Sequence, residues 1–519
     1  MKPKKIISFS LILILFFFTF PLKGEEWAIY GTRARGMGGA QVAIAKGTDS
    51  AYWNPAGFAF GNRGTKKNPI LPVELQLIHI GAEAAVTGNF LKDIGDLQTT
   101  VDSFNGGLTG LQSRLNALNI TQSDISTMMK LLEIMGRFGK DSSKGALVTL
   151  EASALDLQVG NFALTSQVTV YGGVNPIIDF YSNNMFNTLQ QFGATATDIF
   201  GVNFNPATAN PQTPAGQQLA QTLDTLGGAA LSLDQAEALV YFAEQAGVNV
   251  ADPQFQQILE SAVANTAAKN TGTLDQNQTG VFIKGVLLAE VRGSFAMQLV
   301  PNVLAVGGNL KLIQGITFNR FIFAKDAQNM DKILQEIYND LDRQRKRTWQ
   351  FSIDLGVMAK LGMIQVGLTG RNLIPTQYDT KVGKDLRIQP QARAGVALNL
   401  DWIVVALDID LNPNGSDTFS KFDSQMISAG VEVIPLDLGI FSLALRAGIY
   451  RNLAEPREKE VYTLGFGISL WMLTIEGSAS VDAKAIKSGN FNFDYKNKSI
   501  SDIPDRLGFS LSASLGFSF

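Results

Sequence analysis

The chain has 519 residues, no cysteine and a formal net charge of -3. That excludes a disulfide framework, a thiolate nucleophile and a thiolate metal site, and it leaves no basic footprint for nucleic acid. Charged residues make up 17% and glycine is abundant at 50 residues, where soluble domains carry about 25% charged residues; one large β-structure with additions is expected rather than a string of soluble domains.

Met1–Gly24 reads as a secretory signal: Lys2, Lys4 and Lys5, an apolar run from Ile6 to Phe20, then Pro21 and a small residue at Gly24, after which cleavage is expected. No later run approaches the ~18 apolar residues of a membrane helix. An exported chain without a spanning helix can cross a membrane only as a closed barrel.

Residues 25–72 form a turn-rich segment. Gly36, Gly38 and Gly39 do not follow a buried strand and lack a Gly-Lys-Ser/Thr, so they read as sites of close backbone approach rather than as a phosphate loop. Trp53-Asn54-Pro55-Ala56-Gly57 ends the segment in a Pro-fixed turn. Arg35-Gly36-Met37-Gly38-Gly39-Ala40 followed by Tyr52-Trp53-Asn54-Pro55-Ala56-Gly57 resembles the N-terminal plug, or hatch, of FadL-like outer-membrane barrels. That superfamily includes long-chain fatty-acid and hydrocarbon channels, TraF-like barrels annotated for conjugal transfer, and PorV-like barrels. The resemblance implies a plug built on Arg35, Gly36, Gly38, Gly39, Trp53, Asn54, Pro55 and Ala56, and passive uptake of hydrophobic small molecules such as long-chain fatty acids.

Residues 73–519 read as a barrel of about fourteen strands, near 73–87, 145–158, 161–173, 281–300, 303–323, 348–361, 363–373, 387–400, 402–412, 425–436, 439–451, 461–470, 472–486 and 506–519. Turns of a few residues alternate with long excursions, which include 88–144, 174–280, 324–347, 413–424 and 487–505. A soluble sandwich has no reason to segregate loop length in this way; an outer-membrane barrel does, with both termini in the periplasm. The last strand sets the pattern: Leu507, Phe509, Leu511, Ala513, Leu515, Phe517 and Phe519 alternate with Gly and Ser, greasy toward lipid and small toward the lumen. Phe517 and the terminal Phe519 also resemble the signal read by the barrel-assembly machinery. Trp402 and Trp471 at the short turns, and Phe318, Phe321, Phe323, Trp349, Tyr450 and Tyr462 at the long loops, are expected to form aromatic girdles.

The excursions 88–144, 174–280 and 324–347 read as helical and lie on the outer side by parity. Phe90, Ile94, Leu97, Val101, Phe104, Leu108, Leu111, Leu115 and Leu118 step by four and three as a heptad seam. A second helix bearing Ile125, Met128, Leu132 and Met135 is expected to fold back on it. The seam suits a hairpin core, or a groove for an acyl chain or a partner helix. Ser232 with Gln235 forms a capping box, Asp252-Pro253 opens another helix, and Asn205–Pro214 reads as a linker. A third helix is expected around Ile333, Ile337 and Leu341.

For catalysis, any Ser-His-Asp arrangement would have to use His79, the single histidine, and a wall side chain is the simpler reading; no enzyme activity and no cofactor are expected. Asp410 to Asp417 resembles the start of a calcium loop, but its twelfth position is Lys421. Asp354, Arg371, Arg393, Asp408, Glu432 and Arg446 fall on the inward phase of neighbouring strands. They are expected to pair into a network that holds plug to wall, more readily than to serve as a selectivity filter. Outer-membrane lipid, the assembly machinery and a hydrophobic ligand are the expected partners. The runner-up is a barrel that transports nothing and presents its helical loops to a secretion or conjugation apparatus.

Overall fold

The computed structural model describes residues 26–61, 71–87, parts of 90–103, 121–140, 145–177, 209–228, 231–267, 280–323, 346–380, 385–415, 423–455, 458–483 and 504–518. Eighteen strands occur among them: β1 (Pro72–Thr87), β2 (Gly145–Val159), β3 (Phe162–Ile177), β4 (Gly280–Val300), β5 (Leu304–Phe323), β6 (Lys346–Leu361), β7 (Ile364–Arg371), β8 (Thr376–Tyr378), β9 (Leu386–Ile388), β10 (Gln391–Asn399), β11 (Ile403–Asp410), β12 (Asn414–Gly415), β13 (Asp423–Ser424), β14 (Met426–Asp437), β15 (Phe441–Asn452), β16 (Val461–Leu470), β17 (Leu473–Asp482) and β18 (Arg506–Ser518). β8 pairs with β9 and β12 with β13, as small ladders within loops; the other fourteen close into one antiparallel barrel. Each barrel strand pairs with its neighbour in sequence, and β18 returns to β1 in a register running from Pro72↔Ser518 to Ala85↔Arg506, so no edge is left open.

The expected fourteen-strand barrel is therefore present, with one strand redrawn. The run 387–400 splits at Pro390: Leu386–Ile388 leaves the wall, and Gln391–Asn399 alone is barrel. Proline has no N–H to give a ladder, so pairing stops there. Asn302, Asp401 and Trp471 take positive φ in the short turns, as tight hairpins require.

Period two decides the two faces. Leu150, Leu164, Leu310, Phe351, Leu407, Leu464, Phe509 and Leu511 are exposed in a greasy outer belt, while Gln167, Asn309, Ser352, Thr369, Ser510 and Ser512 on the alternate phase are buried. That arrangement belongs to a barrel of the outer membrane. Trp349, Trp402, Tyr462 and Trp471 stand on the outside, but Tyr450 does not belong to the girdle. It is 1% exposed and points inward, where its hydroxyl donates to Glu83.

The helices Gln122–Lys140, Pro214–Gly227, Leu233–Gln245 and Pro253–Ala267 share a core of Ile125, Met128, Leu132, Leu223, Phe242, Phe255 and Leu259. The capping box at Ser232 and Gln235 is formed. Pro214–Gly227 follows the expected linker directly, with Thr213 capping and Pro214 opening it. The face Ile125, Met128 and Leu132 turns toward these later helices; it is Ile134, on another side of the same helix, that packs on Phe90. The expected signal at 1–24, Ile94, Leu97, Val101, Phe104, Leu108, Leu111, Leu115 and Leu118 of the seam, the helix around Ile337, and Phe519 lie outside the described residues.

Candidate functional site: the plugged lumen

Residues 26–60 lie inside the barrel, held by charge at Glu26, Arg33 and Arg35 and by backbone contact from Gly36 to Val42 and around Asn54-Pro55. The guanidinium of Arg33 donates twice to Glu432, with Nε to Oε2 and Nη2 to Oε1 both at 2.9 Å. Glu432 also accepts from Arg446 at 2.6 Å, and Arg446 reaches Glu476 at 2.8 Å. Arg35 bridges Glu83 at 2.5 Å and Glu151 at 2.9 Å. Arg506 pairs with Glu26 at 2.9 Å and with Glu83 at 3.3 Å. The acceptors stand on β14, β17, β1 and β2, so the plug ties together strands on both sides of the β1–β18 seam. Burial is what makes these pairs matter: losing one partner leaves a charge stranded out of water.

The six wall charges named from their phase all face inward and are buried. Glu432 and Arg446 pair with each other; Arg393 pairs instead with Asp410 at 2.6 Å, and Asp354 with Lys311 at 2.8 Å. Asp408 accepts the backbone N–H groups of Gln41 at 2.6 Å and Val42 at 2.8 Å, so its partner is plug backbone rather than a wall cation. Arg371 lies 3.8 Å from the Tyr52 ring centre and 5.0 Å from that of Trp27. Arg393 sits 4.6 Å from Trp27 and 5.5 Å from Trp53. The terminal nitrogens of Arg393 have no hydrogen-bond acceptor among the described residues, and aromatic faces take that place. Asp410, first of the calcium-like run, is engaged by Arg393 and by the N–H of Met426.

The plug's far corner is seated by backbone. Asn54 donates through Nδ2 to Val42 O at 2.9 Å and Val357 O at 3.0 Å, while its Oδ1 accepts Ala56 N–H at 3.1 Å. Trp53 Nε1 donates to Tyr30 O at 2.8 Å. Opposite this corner the wall gives up its side chains: a Cβ on Gly307 would strike Pro55, and one on Gly356 would strike Asn54. Gly38, at φ 67°, brings the chain against β15, where a Cβ would sit 2.8 Å from both N and O of Ile449. Thr463 Oγ1 donates to Gly36 O at 3.0 Å, and Gly39 lies beside Ile29 and Ser428. The inward glycines of adjacent strands were not singled out from the sequence. Their signal is a glycine on the polar phase of a strand, where a serine or a charge would otherwise stand.

One stretch of wall is held differently. Between Ala152↔Val168 and Leu157↔Leu164 the β2–β3 register slips, so 153–156 face 165–167 without regular pairing. Leu155 takes φ 59° and is 69% exposed on the lipid side. Asp156 fills the gap from within, its Oδ1 accepting Ser166 N–H at 2.5 Å. β1 slips at the same level, between Gln76 and Ile78 against β18. Behind the break the contacts are neutral: Tyr30 OH to Ser153 Oγ at 2.8 Å, Gln76 Nε2 to Ser153 Oγ at 3.1 Å and Thr48 Oγ1 to Gln76 Oε1 at 2.8 Å. His79 is packed nearby, with its ring 4.7 Å from that of Tyr30 and its Nε2 3.6 Å from Glu151.

Cavities of about 30 Å3 beside Arg506 and about 10 Å3 beneath the β8–β9 hairpin hold no more than a water or two, at roughly 10–15 Å3 each.

A family model described as F plasmid transfer operon, TraF, protein matches residues 51–410, more than half of the sequence. The chain belongs to that family. The match runs from the end of the plug to β11, and the expected closed fourteen-strand barrel is the architecture of this TraF-family chain. No curated protein matches. Similar solved structures include the Ralstonia pickettii toluene transporter TbuX, with 10% identity, TM-score 0.40, and coverage of 96% of this chain and 100% of that one. The P. putida toluene transporter TodX has 10% identity, TM-score 0.38 and coverage of 94% and 98%. A Pseudomonas aeruginosa FadL homologue has 9% identity, TM-score 0.38 and coverage of 96% and 100%.

Proposed function

We propose that this TraF-family barrel carries hydrophobic small molecules passively across the outer membrane and releases them sideways into the bilayer through the break between β2 and β3. The observation that carries this reading is the break itself. Ser153 to Asp156 lie four to seven residues from the turn at Gly160, roughly 10–20 Å into the membrane at a strand's rise and tilt. Irregular backbone at that depth is expensive unless protein or a cavity satisfies it. Here the Asp156 carboxylate accepts the Ser166 N–H, and Ser166 Oγ donates to Ala154 O at 3.0 Å.

Magnitude selects this point over the rest of the plug. Stripping a partner from the Arg33 or Arg35 pairs costs about 3–5 kcal/mol each, whereas a neutral bond such as Tyr30–Ser153 is worth about 1 kcal/mol. The plug therefore yields first at its neutral contact with Ser153, beyond the Arg35–Glu151 pair on the same strand, and the Asn54-Pro55-Ala56 corner stays seated. Long-chain fatty acids, the cargo implied by the plug motif, are the first to test. In proteoliposomes, wild-type protein should accelerate oleate entry over plain vesicles, and Asp156→Ala should raise the rate several-fold. Unchanged rates in both, with the barrel folded, reject the reading.

A second reading has its own observation. The four helices close on their own core, as a docking module would, and the family's name comes from a transfer operon. If the protein is a scaffold, removing residues 209–267 should abolish recruitment of an envelope partner and leave oleate entry at the level of plain vesicles throughout.

A further inference from the structure

The connection from β11 to β14 opens with Asp410-Leu411-Asn412-Pro413-Asn414-Gly415, which matches the first half of a calcium loop, D-x-N-x-N-G, position for position. The second half fails, because position twelve is Lys421 where such a loop needs a glutamate. The structure gives the half-motif a different completion. β12 and β13 pair Asn414 with Ser424 and Gly415 with Asp423, so a hydroxyl stands opposite the asparagine at position five.

Burial singles these groups out. Asp410, Asn414 and Ser424 are 0%, 2% and 1% exposed. Asn412 Oδ1, Asn414 Oδ1 and Ser424 Oγ are buried and have no hydrogen-bond partner among the described residues. Buried polar atoms are nearly always satisfied, and three orphaned oxygens in one loop call for an ion or a water. The pairing brings the donors together. Asp410 Oδ2 accepts the N–H of Met426 at 2.9 Å, and Gln425 Nε2 donates to Asp410 O at 3.2 Å, which sets Asp410 beside the residues that follow Ser424. Directly opposed residues such as Asn414 and Ser424 keep their Cβ atoms about 4.5–5.5 Å apart, a gap that two metal–oxygen bonds of about 2.4 Å can bridge.

We propose that Asp410, Asn412, Asn414 and Ser424 form a calcium site that clips the β11–β14 loop to the end of the barrel. The donor set decides the ion. No three His, Cys, Asp or Glu side chains among the described residues gather to hold a metal, and this site draws on amide and hydroxyl oxygens instead. Oxygen donors suit a hard cation. Calcium accepts six to eight of them in loose geometry, amide oxygens and waters included, while magnesium demands a strict octahedron and gives up water reluctantly. A carboxylate offers about four lone-pair positions, so Asp410 keeps Arg393 and Met426 while it turns to the ion. It shares its charge with Arg393, 2.6 Å away, so binding is weak, at about 0.1–1 mM as in extracellular calcium modules.

The test uses the full chain purified in detergent and freed of lipopolysaccharide, with terbium as a luminescent stand-in for calcium. Trp27 and Trp53 lie 4.6 and 5.5 Å from Arg393, the partner of Asp410, and pass excitation to a lanthanide bound there. Wild type should give a saturable, tryptophan-excited signal that calcium removes and an equal concentration of magnesium leaves largely in place. Asn414→Ala together with Ser424→Ala should abolish it. Asn414→Asp, which adds a charge at position five, should tighten calcium at least fivefold in the displacement titration, a gain that a purely structural asparagine would not give. Each variant is checked for heat-modifiable migration of a folded barrel, and where the double variant misfolds, Asn414→Asp decides. No saturable signal in wild type, displacement by magnesium as readily as by calcium, or a signal that survives the folded double variant overturns the site. An Asn414→Asp that binds no tighter than wild type overturns it too, and water then serves the three oxygens. The site stands apart from the uptake reading, which the oleate assay decides separately.

Discussion

Glu432 shows how a single side chain can hold a plug: it sits between Arg33 of the plug and Arg446 of the wall, and both guanidinia pair with it. Glu432→Ala should cost about 3–5 kcal/mol because it leaves the buried Arg33 without its carboxylate while Arg446 keeps Glu476, and protease should then reach the plug in a barrel that still migrates as folded. Tyr30→Phe, losing one neutral bond to Ser153, should cost about 1 kcal/mol. Arg393→Glu places a third carboxylate beside Asp408 and Asp410 and removes the cation from Trp27 and Trp53; single-channel conductance should rise, and an unchanged value counts against a plug-holding role. Glu26 adds a pH dependence. Burial raises its carboxyl to about 7, with Arg506 pulling it down and Glu83 and Glu458 pushing it up. A carboxyl raised above its ordinary 4.5 favours the seated state fully below that value and loses the contribution as pH climbs through 7. Protection of the plug's leading residues should therefore weaken from about pH 5 to pH 8, and Glu26→Gln should flatten the profile. Strand phase alone was enough to find the inward charges. Their partners were not legible, because Asp408 takes plug backbone and Arg33 crosses 399 residues of sequence to reach Glu432.

Among the elements, the strands were readable nearly to the residue because lipid outside and packed polar lumen inside enforce period two. The breaks were readable too, had the alternation been followed strictly. Leu77-Ile78 between Gln76 and His79, and Ala154-Leu155 between Ser153 and Asp156, are apolar pairs that slip the phase by one, at the level where both strands bulge. The inward hairpin was hidden because Leu386–Ile388 continues the period of β10, and only Pro390 marks the departure. The helical module reads differently, since its capping box is local while the packing of Ile125 and Met128 on helices a hundred residues away is not. Phe255 is buried in that core, so Phe255→Ala should cost about 3–5 kcal/mol. The helical circular-dichroism signal should melt earlier, and heat-modifiable barrel migration should be unchanged. A barrel that falls with it would mean the two cores fold as one.

At the scale of the whole molecule, closure and plugging are separate achievements. The β1–β18 ladder runs from Pro72↔Ser518 to Ala85↔Arg506 through backbone pairing that needs no plug atom. The lumen charges, by contrast, depend on what fills the space around them. With the plug in place, Glu83, Glu151 and Glu432 are held by Arg35 and Arg33; with it gone, water replaces those partners, and a hydrated carboxylate on a barrel's inner face costs little. Deleting residues 26–60 should therefore leave a folded barrel with an open, ion-conducting lumen. The hairpin at β8–β9 remains as a partial obstruction on the outer side, so conductance in planar bilayers should rise from the plug deletion alone and rise again when Tyr378→Ala loosens the hairpin. A plug-deleted barrel that migrates as folded yet passes no current, even with Tyr378→Ala, would mean that the lumen is closed by something other than residues 26–60.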